Sequence, residues 1–502
     1  MRSAPFAAAA LALSVALGLT ACAPGSPGSS TGGAPDPDAV LTVGLVLEPT
    51  DLDIRRTAGV ALEQALVDNV YQGLVGRTAD QQVVDVLATS HDVSADGLTY
   101  TFSLRDDVTF AGTGDAMTAE DVVWSLQQVR DDESLVGHDD LAAVADVAAP
   151  DSGTVVLTLS RPDSQLLWAL TGRAGLVLEE GATNDLSTSS NGTGPFEVSR
   201  WTQGDNLQLT RVDDAWGEPA GVAGVTFRYL TDRSAAVNAV LAGDVDVQTA
   251  VDATLRSQLD GAEGVTVAEG RTTDKYTLAF NSAVAPFTDE RVRRALRLAI
   301  DDDAVIAAVG GAGVPQGGPV PELDPGYQDL TDVDAYDPDA ARALLEEAGA
   351  TNLELSLVYA NHYPSAIGDV LTTQLADVGV TLDVQQVEFA TWLQRVFQDH
   401  DYELSMVDHA ESQDLGIWAD PDYYFGFDDP EVQSLYAAAL ATTDPAAAEA
   451  GLAATARAVS EAAPAEWLYT ATALTAVRDG VEGFPTDATT ARLDLTEVTK
   501  AG

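Results

Sequence analysis

The chain has 502 residues, 46% hydrophobic and 21% charged, the composition of a globular protein with room for two or three cores. Against 79 acidic residues stand 25 basic ones, a formal net charge of −54. Such a field repels nucleic acid and anionic lipid, which excludes both as partners. The charge reads first as a solubility bias and second as a preference for a cationic ligand. One cysteine, Cys22, leaves no internal disulfide to form.

Arg2 followed by an uncharged apolar run over 6–18 and then Leu19-Thr20-Ala21-Cys22 resembles a bacterial lipoprotein signal. The resemblance implies removal of 1–21 and diacylation of Cys22, two acyl chains being enough for stable anchoring. A transmembrane anchor is the competing reading, because the apolar run is nearly long enough to span. A cysteine set directly after Leu-x-Ala in an otherwise cysteine-free chain favours lipidation. Residues 22–38 form a Pro/Gly/Ser linker. Within it, Gly28-Ser29-Ser30-Thr31-Gly32 matches the hydrolase G-x-S-x-G pattern, but no strand precedes it and no helix follows, so the match is chance.

Leu41, Val43 and Leu45 alternate as a first strand, and Glu48-Pro49-Thr50-Asp51-Leu52-Asp53 follows it. Leu66, Val67, Val70, Tyr71 and Leu74 read as one amphipathic helix. After the Asp96-Gly97 turn, Leu98, Tyr100, Phe102 and Leu104 alternate as a half-buried strand. Thr118 stands three residues before Asp121 in a capping-box spacing, opening a helix faced by Val122, Leu126 and Val129. A strand at Val155, Leu157 and Leu159, a short helix over 166–170 and a hairpin at Gly204-Asp205 come next. Val225, Phe227 and Tyr229 then alternate, and a helix through Val237 and Val240 ends at Gly243.

The 94–130 stretch, SADGLTYTFSLRDDVTFAGTGDAMTAEDVVWSLQQVR, resembles the extracellular solute-binding proteins of ABC importers, in their peptide/nickel group (family 5). The same resemblance recurs in order at Gly192-Thr193-Gly194-Pro195-Phe196, at Asp244-Val245-Asp246-Val247, and from Phe287 to Asp301, where Thr288 reads as a helix cap. It implies an α/β, two-lobed periplasmic-binding-protein-like fold of type II, with an extra inserted subdomain and a ligand cleft between the lobes. The division it implies is 39–72, 194–272 and 479–502 for lobe I, 73–193 for the subdomain and 273–478 for lobe II. The tail from Trp467 is expected to return to lobe I.

Strands and helices alternate through the last lobe, and in such sheets ligands bind at strand C-terminal ends. After the strand carrying Tyr402, Leu404 and Met406 comes Asp408-His409-Ala410-Glu411-Ser412-Gln413-Asp414, then Trp418 and Asp420-Pro421. In peptide-binding relatives this loop carries an aspartate gripping the ligand's α-amino group a few residues before the Asp-Pro. Here Ile417 holds that spacing, so Glu411 or Asp414 is expected to serve instead. The expected ligand contacts are Glu48, Thr57, Tyr276, Asn281, Tyr359, His409, Glu411, Asp414, Trp418 and Asp420. A metal site or a solvated acidic run competes for Asp408, His409, Glu411 and Asp414. No metalloprotease, phosphate-loop or dinucleotide motif is present, so no catalytic residues, cofactor or bound metal are expected.

The resulting expectation is a monomeric, membrane-anchored, extracytoplasmic receptor. It captures a peptide or similar amino-bearing solute and delivers it to ABC permease subunits with their ATPases. A surface hydrolase or metal-dependent enzyme using the 408–414 cluster is the alternative, and an adhesive or signalling lipoprotein a third.

Overall fold

In the computed structural model, residues 34–57 and 59–502 are described. The expected signal segment 1–21, Cys22 and most of the 22–38 linker lie outside them. The first strand, Val40–Leu45, sits in a seven-stranded mixed sheet. The order there is Val265–Gly270, Ala473–Arg478, Val247–Gln248, Val40–Leu45, Gly224–Tyr229, Asn206–Arg211 and Phe196–Thr202. Leu41, Val43, Leu45, Val225 and Phe227 from its middle strands are buried in one core.

A four-stranded antiparallel sheet lies within residues 88–159 and has a core of its own. Helix Ala119–Asp131 packs there, opened by a reciprocal capping box between Thr118 and Asp121 as the spacing predicts. The chain leaves the first sheet after Gln72 and returns through Gly192-Thr193-Gly194. A Cβ on Gly192 would meet the Val70 carbonyl oxygen at 1.9 Å, so only glycine permits this passage.

The third sheet has six strands in the order Gly313–Val314, Ala465–Ala471, Lys275–Phe280, Leu404–His409, Glu354–Ala360 and Thr381–Val387. Leu278 and Phe280 face one core and Ala279 the other, so this sheet is covered on both sides. Two crossovers join the six- and seven-stranded sheets, one over 270–275 and one over 471–473. They run side by side: Ala471 N donates to Asp274 O at 2.9 Å and Thr272 Oγ1 to Ala471 O at 2.6 Å. A two-stranded connection of this kind resists shear but permits bending.

Three expectations change. The helix read over 66–74 spans only Val60–Leu66. Val67 turns extended, Asp68 adopts φ 68°, and Asn69 spends its amide on Ala65 O and Leu493 O. Val70, Tyr71 and Leu74 are buried by tertiary packing rather than by a helical face. The cap of helix Glu290–Leu298 is Asp289, whose carboxylate accepts from Arg291 N, while Thr288 N closes the preceding turn on Val284 O. Finally, Ala473–Arg478, expected inside the 273–478 span, pairs with Val265–Gly270 and Val247–Gln248 in the seven-stranded sheet. Strand Ala465–Ala471, which carries Trp467, stays in the six-stranded sheet, so the tail crosses only at 471–473.

Candidate functional site

Strand Lys275–Phe280 begins where the 270–275 crossover enters the six-stranded sheet. Its first two residues define the site. Lys275 lies opposite His409 and Thr470, and Tyr276 lies opposite Asp408 and Tyr469. Opposed residues share a face of a sheet and successive ones alternate, so the two sets point to opposite sides.

On the first side, Lys275 is 2% exposed. Its Nζ donates to Glu411 O at 2.8 Å and Thr273 O at 3.1 Å, and stands 3.2 Å from Asp414 Oδ1. The 410–414 loop wraps this ammonium, with Thr273 Oγ1 donating to Ala410 O at 2.7 Å and Gln413 N to Asp324 Oδ2 at 2.7 Å. Burial pushes Asp414 up to about 7, opposed by Lys275. Burial also pushes His409 down to about 3, with Lys275 adding to the effect, so the imidazole is neutral; its Nε2 lies 3.1 Å from Tyr424 Oη. His409, Glu411 and Asp414 can bring one ligand atom each within 4.8 Å of one another. A divalent cation there would face the Lys275 ammonium beside Asp414, and the fit is poor for a metal.

On the second side, Tyr276 stacks on Tyr469 with centroids 4.4 Å apart and meets Tyr363 edge-on at 5.8 Å. The Asp408 amide donates to Tyr363 Oη at 3.1 Å. Asp408 Oδ1 is buried and has no hydrogen-bond partner among the described residues. Burial, reinforced by Asp274, holds the Asp408 carboxyl well above the usual range. Asp274, itself 9% exposed, is pushed up to about 6 by burial, against the pull of Lys275 and of a hydrogen bond from Thr490. The rings continue outward through His362 to Phe389, which is exposed.

The expected contacts are dispersed. Tyr276, His409, Glu411 and Asp414 gather at the strand ends, divided between the two sides. Trp418 is buried, stacked on Phe425 at 4.0 Å and edge-on to Trp467, as a core residue. Asn281 gives its amide to His400 O and Tyr402 O, and Tyr359 lies inside the core beneath the sheet. Asp420 is exposed and caps Asp422 N. Glu48 accepts from Gly204 N at 2.6 Å, fixing a hairpin tip, and the Thr57 carbonyl accepts from Arg173. Sequence reasoning did not single out Lys275, Asp274 or Tyr469. The one available signal was that Lys275 is one of only two lysines in the chain.

Beside the crossovers lies a cavity of about 340 Å³ lined by Arg271, Thr272, Gln316, Glu322 and Thr470 among others. Arg271 pairs there with Asp487 at 2.6 Å and Glu322 at 3.3 Å. Farther off, the 88–159 sheet region touches the last lobe: Ser164 N donates to Leu440 O at 3.1 Å and Tyr436 Oη to Gln165 Oε1 at 3.0 Å. Among the described residues, no helix is long and apolar enough to cross a membrane.

This architecture is shared with solved structures. The ABC transporter substrate-binding protein CtaP of Listeria monocytogenes superposes with a TM-score of 0.83 at 20% identity, covering 93% of this chain and all of that one. AgaA of A. tumefaciens, solved with agropinic acid, superposes at 0.75 with 25% identity, covering 92% and 99%. In sequence, the glutathione-binding protein GsiB of Pectobacterium atrosepticum is 29% identical over 366 residues, 70% of this chain and 69% of that protein. The family described as bacterial extracellular solute-binding proteins, family 5, matches residues 82–428. The chain belongs to that family, and as a member it is a solute-binding protein of ABC importers rather than an enzyme.

Proposed function

We propose that this chain is a monomeric receptor, anchored by lipid on Cys22, that captures a peptide or similar amino-bearing solute between its lobes and delivers it to an ABC permease. The observation carrying this reading is the paired crossover at 270–275 and 471–473. A bendable connection sits directly beside strand ends that carry Asp274, Tyr276, Asp408 and Tyr469, so a solute touching both lobes would favour the closed form. The names of relatives agree with small organic solutes, glutathione for GsiB and agropinic acid for AgaA, of which glutathione is an amino-bearing peptide.

The test is mass spectrometry of solute recovered from purified protein, followed by thermal unfolding with that solute added. The expected result is a rise in Tm that follows RT ln(1 + [L]/Kd), with the solute recovered unchanged. Chemical turnover of the solute, or no shift with any recovered compound, overturns the reading. Membrane anchoring is tested separately, since Cys22→Ser is expected to release the protein from the membrane fraction.

A further inference from the structure

Strand Thr154–Leu159 ends in a loop that reaches from one half of the molecule to the other. The loop is built on the region of the four-stranded sheet. Ser160 N donates to Ala143 O at 2.8 Å, Tyr100 Oη donates to Asp163 O at 3.0 Å, and Leu166 is buried in that sheet's core. This region is tied in turn to the lobe of the seven-stranded sheet, through Arg55 on Leu176 O, Arg173 on Ile54 O and Arg492 on Thr171 O. Yet the tip of the loop meets helix Pro430–Leu440, whose Val432 and Ala439 are buried on the six-stranded sheet. Ser164 Oγ donates to Ala439 O at 3.2 Å and Ser164 N to Leu440 O at 3.1 Å. The last carbonyls of a helix have no donors within it, so Ser164 caps a helix that belongs to the other lobe. Tyr436 Oη, one turn earlier, donates to Gln165 Oε1 at 3.0 Å. A Cβ on Gly416 would stand 2.7 Å from this hydroxyl, so the contact reaches the segment Asp414–Trp418 beside the candidate site. A crevice of about 10 Å³ is left where Gln165 faces Asp324, Gln413 and Asp414.

We infer that loop 160–165 is a latch between the two lobes: Ser164 and Gln165 hold the last turn of helix Pro430–Leu440 when the crossovers bend shut and release it when they open. This rests on the receptor reading and adds a contact, made without solute, that sets how much closed form exists before binding. Neutral hydrogen bonds suit that role. On opening, each carbonyl and hydroxyl finds water instead, so one such bond shifts the equilibrium by a factor of only about 2 to 12. The loop needs no rearrangement to let go. Asp163 Oδ1 accepts from Gln165 N, and Asp163 O from Leu166 N, both on the loop's own side. A closed form held too strongly would leave the solute little to shift, and one too rare would lower the apparent affinity. A few bonds of this modest strength keep the balance between those limits.

The experiment is hydrogen exchange of the solute-free full chain, read at single amides and corrected for intrinsic rates. The Ser164 amide has its acceptor on the other lobe, whereas the Leu159 and Ser160 amides have theirs on Leu98 and Ala143, on their own side. Wild type is expected to protect all three. Ser164→Ala and Tyr436→Phe are each expected to speed exchange at position 164 by about two- to twelvefold, leaving 159 and 160 unchanged. A second arm reads the separation of the lobes with spin labels on Asp92→Cys and Glu449→Cys, both exposed positions, in a chain whose one natural thiol is removed by Cys22→Ser. Ser164→Trp, too bulky for the contact, is expected to lengthen the distance between the labels. Ser160→Ala, which loses a hydroxyl bond to Ala143 O within its own side, is expected to leave that distance as in wild type. The latch is overturned by an unprotected Ser164 amide in wild type, by rates at 164 that neither substitution moves, or by protection lost at 159 and 160 together with 164. An unchanged label distance in Ser164→Trp overturns it as well. The receptor reading is decided apart from these outcomes, by whether a solute is recovered.

Discussion

Two neighbouring residues, Lys275 and Tyr276, send the same strand's chemistry in opposite directions. On the Lys275 side the protein supplies both charges: an ammonium, Asp414 beside it, and a wrapped loop that satisfies the remaining donors. On the Tyr276 side it supplies two carboxyl groups, Asp408 and Asp274, framed by rings and without a basic residue of their own. The first arrangement carries its own counter-ion and the second does not, while each leaves one buried carboxyl oxygen, Asp414 Oδ2 and Asp408 Oδ1, without a hydrogen-bond partner among the described residues. Acidic residues a few positions apart in one loop thus differ in role because of what faces them from the next strand.

The largest expected effect is on the Lys275 side. Trp418→Ala removes a ring stacked on Phe425 and should cost about 3–5 kcal/mol of stability, read by denaturant unfolding, with little change in solute affinity per folded molecule. A tenfold loss of affinity at unchanged stability would instead place Trp418 in the ligand site. Lys275→Met should come next. Leaving Asp414 buried without its cation costs about 3 kcal/mol or more at pH 8. At pH 5 the loss should shrink, because Asp414 can then take up a proton in place of the ion pair.

The same carboxyl gives a pH signature. Folding lifts Asp414 to about 7, against about 3.9 when unfolded. Between those values the folded state holds a proton that the unfolded chain has released, so stability falls as pH rises through that window. Below about pH 4 both states are protonated and above about 7 the full cost is present, on the order of 2–4 kcal/mol. Asp414→Asn should flatten this part of the stability–pH curve relative to wild type. An equally steep curve would mean that other acids carry the slope. The smallest expected change is in the stability of Asp408→Asn, within about 1 kcal/mol and in the direction of a gain, because an amide removes repulsion with Asp274. A loss of several kcal/mol there would show that the carboxylate has a structural partner and would erase the contrast between the two sides.

Most of the fold was legible because its signals are local. Alternation marked Val40–Leu45, Thr99–Leu104 and Gly224–Tyr229, and Thr118 and Gly243 marked helix ends. The 66–74 segment misled because Val67, Val70 and Tyr71 are buried in the first core with Leu493 and Leu74 in the core of the four-stranded sheet, and a 3.6-residue rhythm cannot tell that burial from a helical face. At the candidate site, the acidic loop after Leu404–His409 was visible, but its internal division was not. Which acid is neutralised depends on Lys275, a residue type whose default is the surface and whose burial no local pattern announces. The pairing of Tyr276 with Asp408 and Tyr469 is a matter of register between distant strands, which spacing along one chain does not encode.

The doorway at Gly192 and Gly194 has a consequence for how the molecule could be rebuilt. Gly194 N donates to Val70 O at 3.0 Å and Phe196 N to Asn69 O at 2.9 Å, so the chain comes back within a hydrogen bond of where it left. Everything between is a cassette with its own apolar interior, plugged into a socket on the seven-stranded sheet. A short glycine-containing bridge from Val70 to Pro195 could close the socket without disturbing strand register. The cassette's ties to the rest are many: Arg55 binds the carbonyls of Ser125 and Leu176, Arg173 reaches back to Ile54 and Thr57, Arg492 donates to Thr171 O, Ser164 and Gln165 meet the last lobe, and Leu176 and Leu178 join the first core, so a graft must replace all of these.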